Sequence, residues 1–144
     1  MKSISFFLLP KQDVTFLNES FTMRQAMEKM EYHSHTAVPT IDDEGKFIRI
    51  LTEGDLLWKM KNTPELSFLE TGKIPLRQIE SRRESKAVDI NATMEDLFEL
   101  ALNQNFVPVT DDSGIFIGIV TRKAIMSYFI DENHALSDQI KQMG

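Results

Sequence analysis

Thr52-Glu53-Gly54-Asp55 is the tetrapeptide of this chain with the most chemical content. A Thr followed three residues later by an acid is a capping box, the signature of a helix start. The same geometry suits an anionic ligand. A helix N-terminus presents unpaired backbone N–H groups and the positive end of the helix dipole, which favour a phosphate. A carboxylate one turn in can accept hydrogen bonds from two vicinal ribose hydroxyls. Thr121-Arg122-Lys123-Ala124 is the counterpart in the second half of the chain. Alanine stands there in place of the acid, and alanine cannot bond a ribose. Arg122 and Lys123 put two positive side chains at that helix start. They are either solvated surface charges or phosphate ligands, a task for which a guanidinium fork is well shaped.

Other chemical groups point to less. His33 and His35 stand two apart with no third ligand near, which is too few for a metal. Asp42-Asp43-Glu44-Gly45 and Asp111-Asp112-Ser113-Gly114 lack the ligand spacing of a calcium loop and read as turns. Arg82-Arg83 reads as a solvated connector, with reach to phosphates across a cleft as the alternative. The chain has no cysteine, so disulfides, thiolate metal sites and a Cys nucleophile are excluded. No Ser/His/Asp set, paired carboxylates or Walker loop is present, so no catalytic residue, no metal and no required cofactor is assigned, and the expected activity is binding. A net charge of −6 argues against nucleic acid, which needs a basic face. Ile4–Leu9 is too short to span a membrane. It is expected to dock on the domain, and cytoplasmic residence is the expectation.

These groups are positioned by a duplication. Ala37–Asp55 and Phe106–Ala124 align without a gap at a constant offset of 69 residues, Val38 matching Val107 and Gly45 matching Gly114. Self-similarity at fixed spacing reports a repeated structural unit. Each copy has the same order: a short entry strand (Val14–Leu17; Val88–Ile90), a Thr-capped helix, two strands around the Asp-Asp-x-Gly turn, and a closing helix. Met23, Ala26, Met27 and Met30 recur at helical spacing and predict a core stripe, as do Met94, Leu97, Phe98 and Ala101. The strands are expected at Ala37–Ile41, Phe47–Leu51, Phe106–Val109 and Ile115–Val120. The closing helices carry Leu56, Leu57 and Met60, and Ile125, Met126 and Phe129. The expected division is residues 7–60 for the first repeat, 61–85 for a Pro-punctuated connector with a short helix near Leu76–Ile79, and 86–130 for the second. Residues 131–144 are expected to be a polar tail or frayed helix.

The β-α-β-β-α order, the V-P-x-x-D-D-x-G hairpin and the T-x-x-D junction resemble the cystathionine-β-synthase (CBS) domain. Two copies in tandem resemble a CBS pair, or Bateman module. The segments His35-Thr36-Ala37-Val38-Pro39 and Phe116–Lys123 are similar to those of small stand-alone CBS pairs of Firmicutes, including those that bind cyclic di-AMP. The resemblance implies an α/β fold with pseudo-twofold symmetry, an adenine-nucleotide ligand (AMP, ADP, ATP or cyclic di-AMP), a homodimer and a separate effector protein. It implies a nucleotide site made of Val14, Thr15, His35, Thr36, Ala37, Val38, Pro39, Thr52, Asp55, Arg122 and Lys123, with the His35–Ala37 loop lining the adenine slot. A second site would use Lys86, Ala87, Asn105, Phe106, Val107 and Thr121, with the Phe106 ring filling its base slot. The resemblance equally admits a module that has lost its ligand, because Ala124 replaces the acid and Arg49 stands where glycine is expected.

Overall fold

The structure is a computed structural model and describes residues 2–143. Both repeats follow the expected order because local chemistry and apolar periodicity agree in each. In the first, β2 (Leu17–Asn18) leads to α2 (Met23–His33), β3 (Ala37–Ile41), β4 (Phe47–Thr52) and α3 (Glu53–Asn62). In the second, β5 (Val88–Asp89) leads to α4 (Met94–Ala101), β6 (Phe106–Thr110), β7 (Phe116–Thr121) and α5 (Arg122–Met143). Ahead of both lie α1 (Ile4–Phe7) and β1 (Leu9–Pro10). Thr22, Thr52 and Thr93 each form a complete capping box, with Gln25, Asp55 and Asp96. At the fourth helix start, Thr121 Oγ1 accepts the Ala124 N–H at 3.0 Å, but no carboxylate answers.

Each sheet pairs its entry strand parallel to the next strand and the hairpin antiparallel, with a register shift at the same place: Thr40/Ile41 and Val109/Thr110. Asp42 and Asp111 shape the two hairpin turns. Each Oδ1 accepts two backbone N–H groups, from Glu44 and Lys46 and from Ser113 and Ile115. Gly45 and Gly114 supply the left-handed backbone, at φ 86° and 83°. The turns then pair with each other. Phe47 N–H donates to Gly114 O at 3.1 Å and Phe116 N–H to Gly45 O at 2.9 Å. That reciprocal contact marks the pseudo-twofold axis, beside a small shared core of Ile41, Phe116 and Ile119.

The leading segment of each repeat serves the other repeat. β1 joins the second sheet, antiparallel to β7, and Ile4 and Phe7 are buried in that repeat's core. Leu76 and Ile79, at the same i, i+3 spacing, are buried with Leu17, Met23 and Leu51 in the first. Two equivalent positions show how. Gly118 lets β1 approach: a Cβ there would lie 2.2 Å from Leu9 O. Arg49, its counterpart on β4, is buried and takes the place of an added strand. Its guanidinium donates to Leu76 O at 2.6 Å, Ser81 Oγ at 3.0 Å and Ile79 O, and pairs with Glu19 at 3.3 Å. Arg49 therefore has a structural use unrelated to any ligand.

Two expectations, the first entry strand and the C-terminal tail, need correction. The first entry strand lies at Leu17–Asn18, not from Val14: Lys11–Asp13 is a 3-10 turn, and Val14 and Phe16 pack on the shared core. The closing helices carry the expected residues, with Leu56 and Ile125 buried and Leu57, Met126 and Phe129 exposed. The short helix expected near Leu76–Ile79 is a 3-10 turn at Leu76–Gln78, and the connector carries a second at Leu69–Lys73. Residues beyond 130 form no separate tail, because α5 continues unbroken through Met143. Among the described residues no helix is long and apolar enough to cross a membrane.

Candidate functional site

Asp55 is held at the first turn of α3, 3% exposed, and both carboxylate oxygens are bonded. Oδ2 accepts the Thr52 N–H at 2.9 Å and closes the capping box. Oδ1 accepts the backbone N–H of Arg82 at 2.8 Å. The segment 82–85, which leads into the second repeat, is thereby strapped across the start of α3. Its other end is fixed by Ser85 Oγ, which accepts the Ile50 N–H at 2.8 Å.

A cleft of about 390 Å³ opens beneath this strap. The first repeat contributes Ala37, Ile50, Thr52, Gly54, Asp55 and Trp58. The connector contributes Arg82, Arg83, Glu84 and Ser85, and the second repeat Asn103, Gln104, Asn105 and Phe106. Gln104 ties the far wall together. Its Nε2 donates to Lys86 O and Phe106 O, and its Oε1 accepts the Lys86 N–H. The Arg82 guanidinium lies over the Trp58 ring, 5.4 Å from its centroid. The volume falls within the range of small-molecule sites, roughly 300–1,000 Å³. The buried Asp55 carboxylate, a second carboxylate from Glu84, two guanidinium groups and two aromatic rings converge on it. Such a set can bond vicinal hydroxyls, offset anionic charge and cover the face of a planar base.

The expected site residues are divided among several places. Thr52, Asp55 and Ala37 share this cleft with Asn105 and Phe106, which were expected in a second one. Phe106 therefore lines the first cleft while also packing on the shared core. Val14, Thr15 and His35 line a different groove, with Lys29 and His33, and His35 stacks on His33 at 5.9 Å. Thr36 lies with Met27 and Leu56 in a third, between α2 and α3, which His35 also lines. Val38 and Val107 are buried core residues and Pro39 is buried within β3, so none faces a cleft. Lys86 and Ala87 border the strap, and only Lys86's backbone is engaged, by Gln104.

Arg122 is bonded within its own repeat. Its guanidinium donates to Ala101 O at 2.8 Å, Asn105 Oδ1 at 3.0 Å and Leu102 O at 3.4 Å. It closes the C-terminus of α4, whose last carbonyls lack helical partners, and is not itself among the residues that line the Asp55 cleft, although its partner Asn105 is. Lys123 is exposed beside it and Thr121 is occupied as a cap. Sequence reasoning missed Trp58, Ile50, Ser85 and Gln104, and read Arg82-Arg83 as connector. The available signal was that Arg pair, just ahead of an entry strand.

Comparison with known proteins places this geometry. The CBS domain family model matches residues 5–62 and again 76–131. An uncharacterised protein of Methanopyrus kandleri is 26% identical over 130 residues, covering 88% of this chain; the chain spans 63% of that relative's length. Among solved structures, CbpB in complex with c-di-AMP superposes with a TM-score of 0.84 at 20% identity, over 96% of this chain and 91% of that one. A CBS domain protein of Streptococcus pneumoniae gives 0.80 at 24% identity, over 90% and 88%. CBSX2 in complex with AMP gives 0.72 at 23% identity, over 92% and 99%. These likenesses carry the fold. Together with two family matches that take in each β-α-β-β-α unit, they show that the chain belongs to the CBS-domain family, with two copies in tandem on one polypeptide.

Proposed function

We propose that this protein is a regulatory module that binds an adenine nucleotide in the Asp55 cleft. One observation carries the reading: a buried carboxylate at a helix start faces a cleft that also holds two arginines and two aromatic rings. The two backbone N–H groups use about half of the carboxylate's roughly four lone-pair sites, which leaves room for the 2′- and 3′-hydroxyls of a ribose. The base lies against Phe106, Ile50 and Trp58. Arg82 and Arg83 meet the phosphate. That CbpB and CBSX2 were solved with c-di-AMP and AMP supports the ligand class.

The output follows from the strap. A nucleotide touching Asp55, segment 82–85 and Phe106 binds both repeats at once, so it favours one arrangement of the two. A partner that prefers this arrangement is then coupled to ligand concentration. The protein is a cytoplasmic homodimer acting on a separate effector, and its work is binding, not catalysis. A second reading, an interaction module without ligand, is favoured by the internal partners already on both Asp55 oxygens.

Isothermal titration calorimetry against AMP, ADP, ATP and cyclic di-AMP tests the proposal. Saturable binding of at least one is expected. Failure of all four overturns the nucleotide reading and leaves the interaction module.

A further inference from the structure

We propose that α5 is a dimerisation helix that pairs in parallel, in register, with α5 of a second copy of this chain. This inference is independent of any ligand. α5 runs 22 residues, about 33 Å at 1.5 Å per residue. Only its first part rests on the domain. Ile125 is buried, Tyr128 packs edge-on against Phe7, and Phe129 lies 5.6 Å from Phe98. Every residue from Phe129 to Met143 is exposed in the single chain. A helical stretch of that length, unsupported, is marginal in water, so it requires cover.

Its sequence states what kind. Met126, Phe129, Asn133, Leu136, Ile140 and Met143 recur at alternating spacings of three and four. That is the a/d repeat of a coiled coil, sustained over the whole exposed stretch. Leu136 is 56% and Ile140 61% exposed, so the apolar face is open. Asp131 and Asp138 fall at the outermost heptad position, away from the seam. Of the positions flanking the seam beyond residue 130, only Glu132 is charged; Ser137 and Gln139 are neutral. Two identical helices therefore meet with little like-charge repulsion.

Asn133 selects the orientation. In a parallel pair each a layer faces its own copy, so Asn133 meets Asn133 of the second chain, and each carboxamide supplies both a donor and an acceptor. In an antiparallel pair a layers face d layers, and Asn133 would lie against Leu136 or Phe129 with its polar atoms unpaired. A single polar a residue is the feature that sets register in such seams. The seam starts on the face of the second repeat, so a parallel pair also brings α4 and Phe98 of the two copies together.

Sedimentation equilibrium of the full chain tests the pairing. The wild type is expected to be a dimer. Leu136→Glu with Ile140→Glu, both at exposed positions, is expected to weaken association at least a hundredfold while far-UV circular dichroism shows a folded domain. Orientation is read from Met143→Cys in a chain that has no other cysteine. Parallel helices place the two thiols together, and mild oxidation yields a covalent dimer. Antiparallel helices hold them roughly 25 Å apart and give none. A monomeric wild type, a double variant that dimerises as tightly as wild type, or a Met143→Cys dimer that resists cross-linking would each overturn the proposal.

Discussion

Replacing Asp55 by alanine removes one carboxylate that performs two tasks, and the structure sets the size of each. As a cap, Oδ2 satisfies the Thr52 N–H; caps are worth about 0.5–2 kcal/mol. As a fastener, Oδ1 satisfies the Arg82 N–H across 27 residues of chain, and leaving such a donor unpaired costs about 1–3 kcal/mol. The sum is roughly 1.5–5 kcal/mol. With an unfolding entropy of about 2.1 cal/mol/K per residue, a chain of 144 residues should lose roughly 5–17 °C in Tm. Binding falls separately. A carboxylate–hydroxyl bond is worth about 1.5–3 kcal/mol, so the Kd for the preferred nucleotide should rise about ten- to 150-fold. Differential scanning fluorimetry gives the first number, and calorimetry well below the transition gives the second. A variant that loses the expected Tm but keeps the wild-type Kd would refute the ribose role and leave Asp55 as a fastener alone. A variant that keeps its Tm would refute the reading of the strap.

The two arginine sites should respond oppositely. Arg82→Ala with Arg83→Ala should weaken nucleotide binding at least fivefold and flatten its salt dependence, as titrations at two ionic strengths will show. Arg122→Ala should instead lower Tm by roughly 3–7 °C through the lost α4 carbonyl contacts, with the Kd changed less than about threefold. Calorimetric stoichiometry should be near one mononucleotide per chain, because Ala124 leaves the second T-x-x-D position without a carboxylate; two sites of equal affinity would contradict this. Gly118→Ala should destabilise by roughly 3 kcal/mol, the upper end of overpacking costs, because its Cβ meets the β1 backbone; chemical denaturation measures it.

Much of this molecule was legible locally. The capping boxes at Thr22, Thr52 and Thr93 depend on residues three apart, and the Asp-Asp-x-Gly turns on four neighbours. The Met23–Met30 stripe follows from one helix period. The duplication supplied the family from two aligned stretches, without any knowledge of how they pack. These features rest on interactions whose partners lie within one or two turns of chain, and such partners can be read from spacing.

The cleft is different, because its membership is decided by contacts far apart in sequence. Grouping residues by repeat put Asp55 with Val14 and His35, whereas the fold puts it with Arg82, Trp58 and Phe106. The leading segments cross between repeats, so the walls of one cleft come from both copies and from the connector. Arg122 shows the same limit. Its type and place at a helix start fit a phosphate ligand, but the C-terminus of α4 ends within reach of its guanidinium and leaves carbonyls that need donors. Arg49 and Gly118 occupy equivalent positions and differ because one meets the Leu76 and Ile79 carbonyls, Ser81 and Glu19, and the other an added strand. Sequence alone determined the repeated unit, its helix starts and its turns, since those are satisfied by near neighbours. Only the tertiary structure decided which copies of those units share a cleft and which charges are already paired, because burial and hydrogen-bond satisfaction belong to the packed chain.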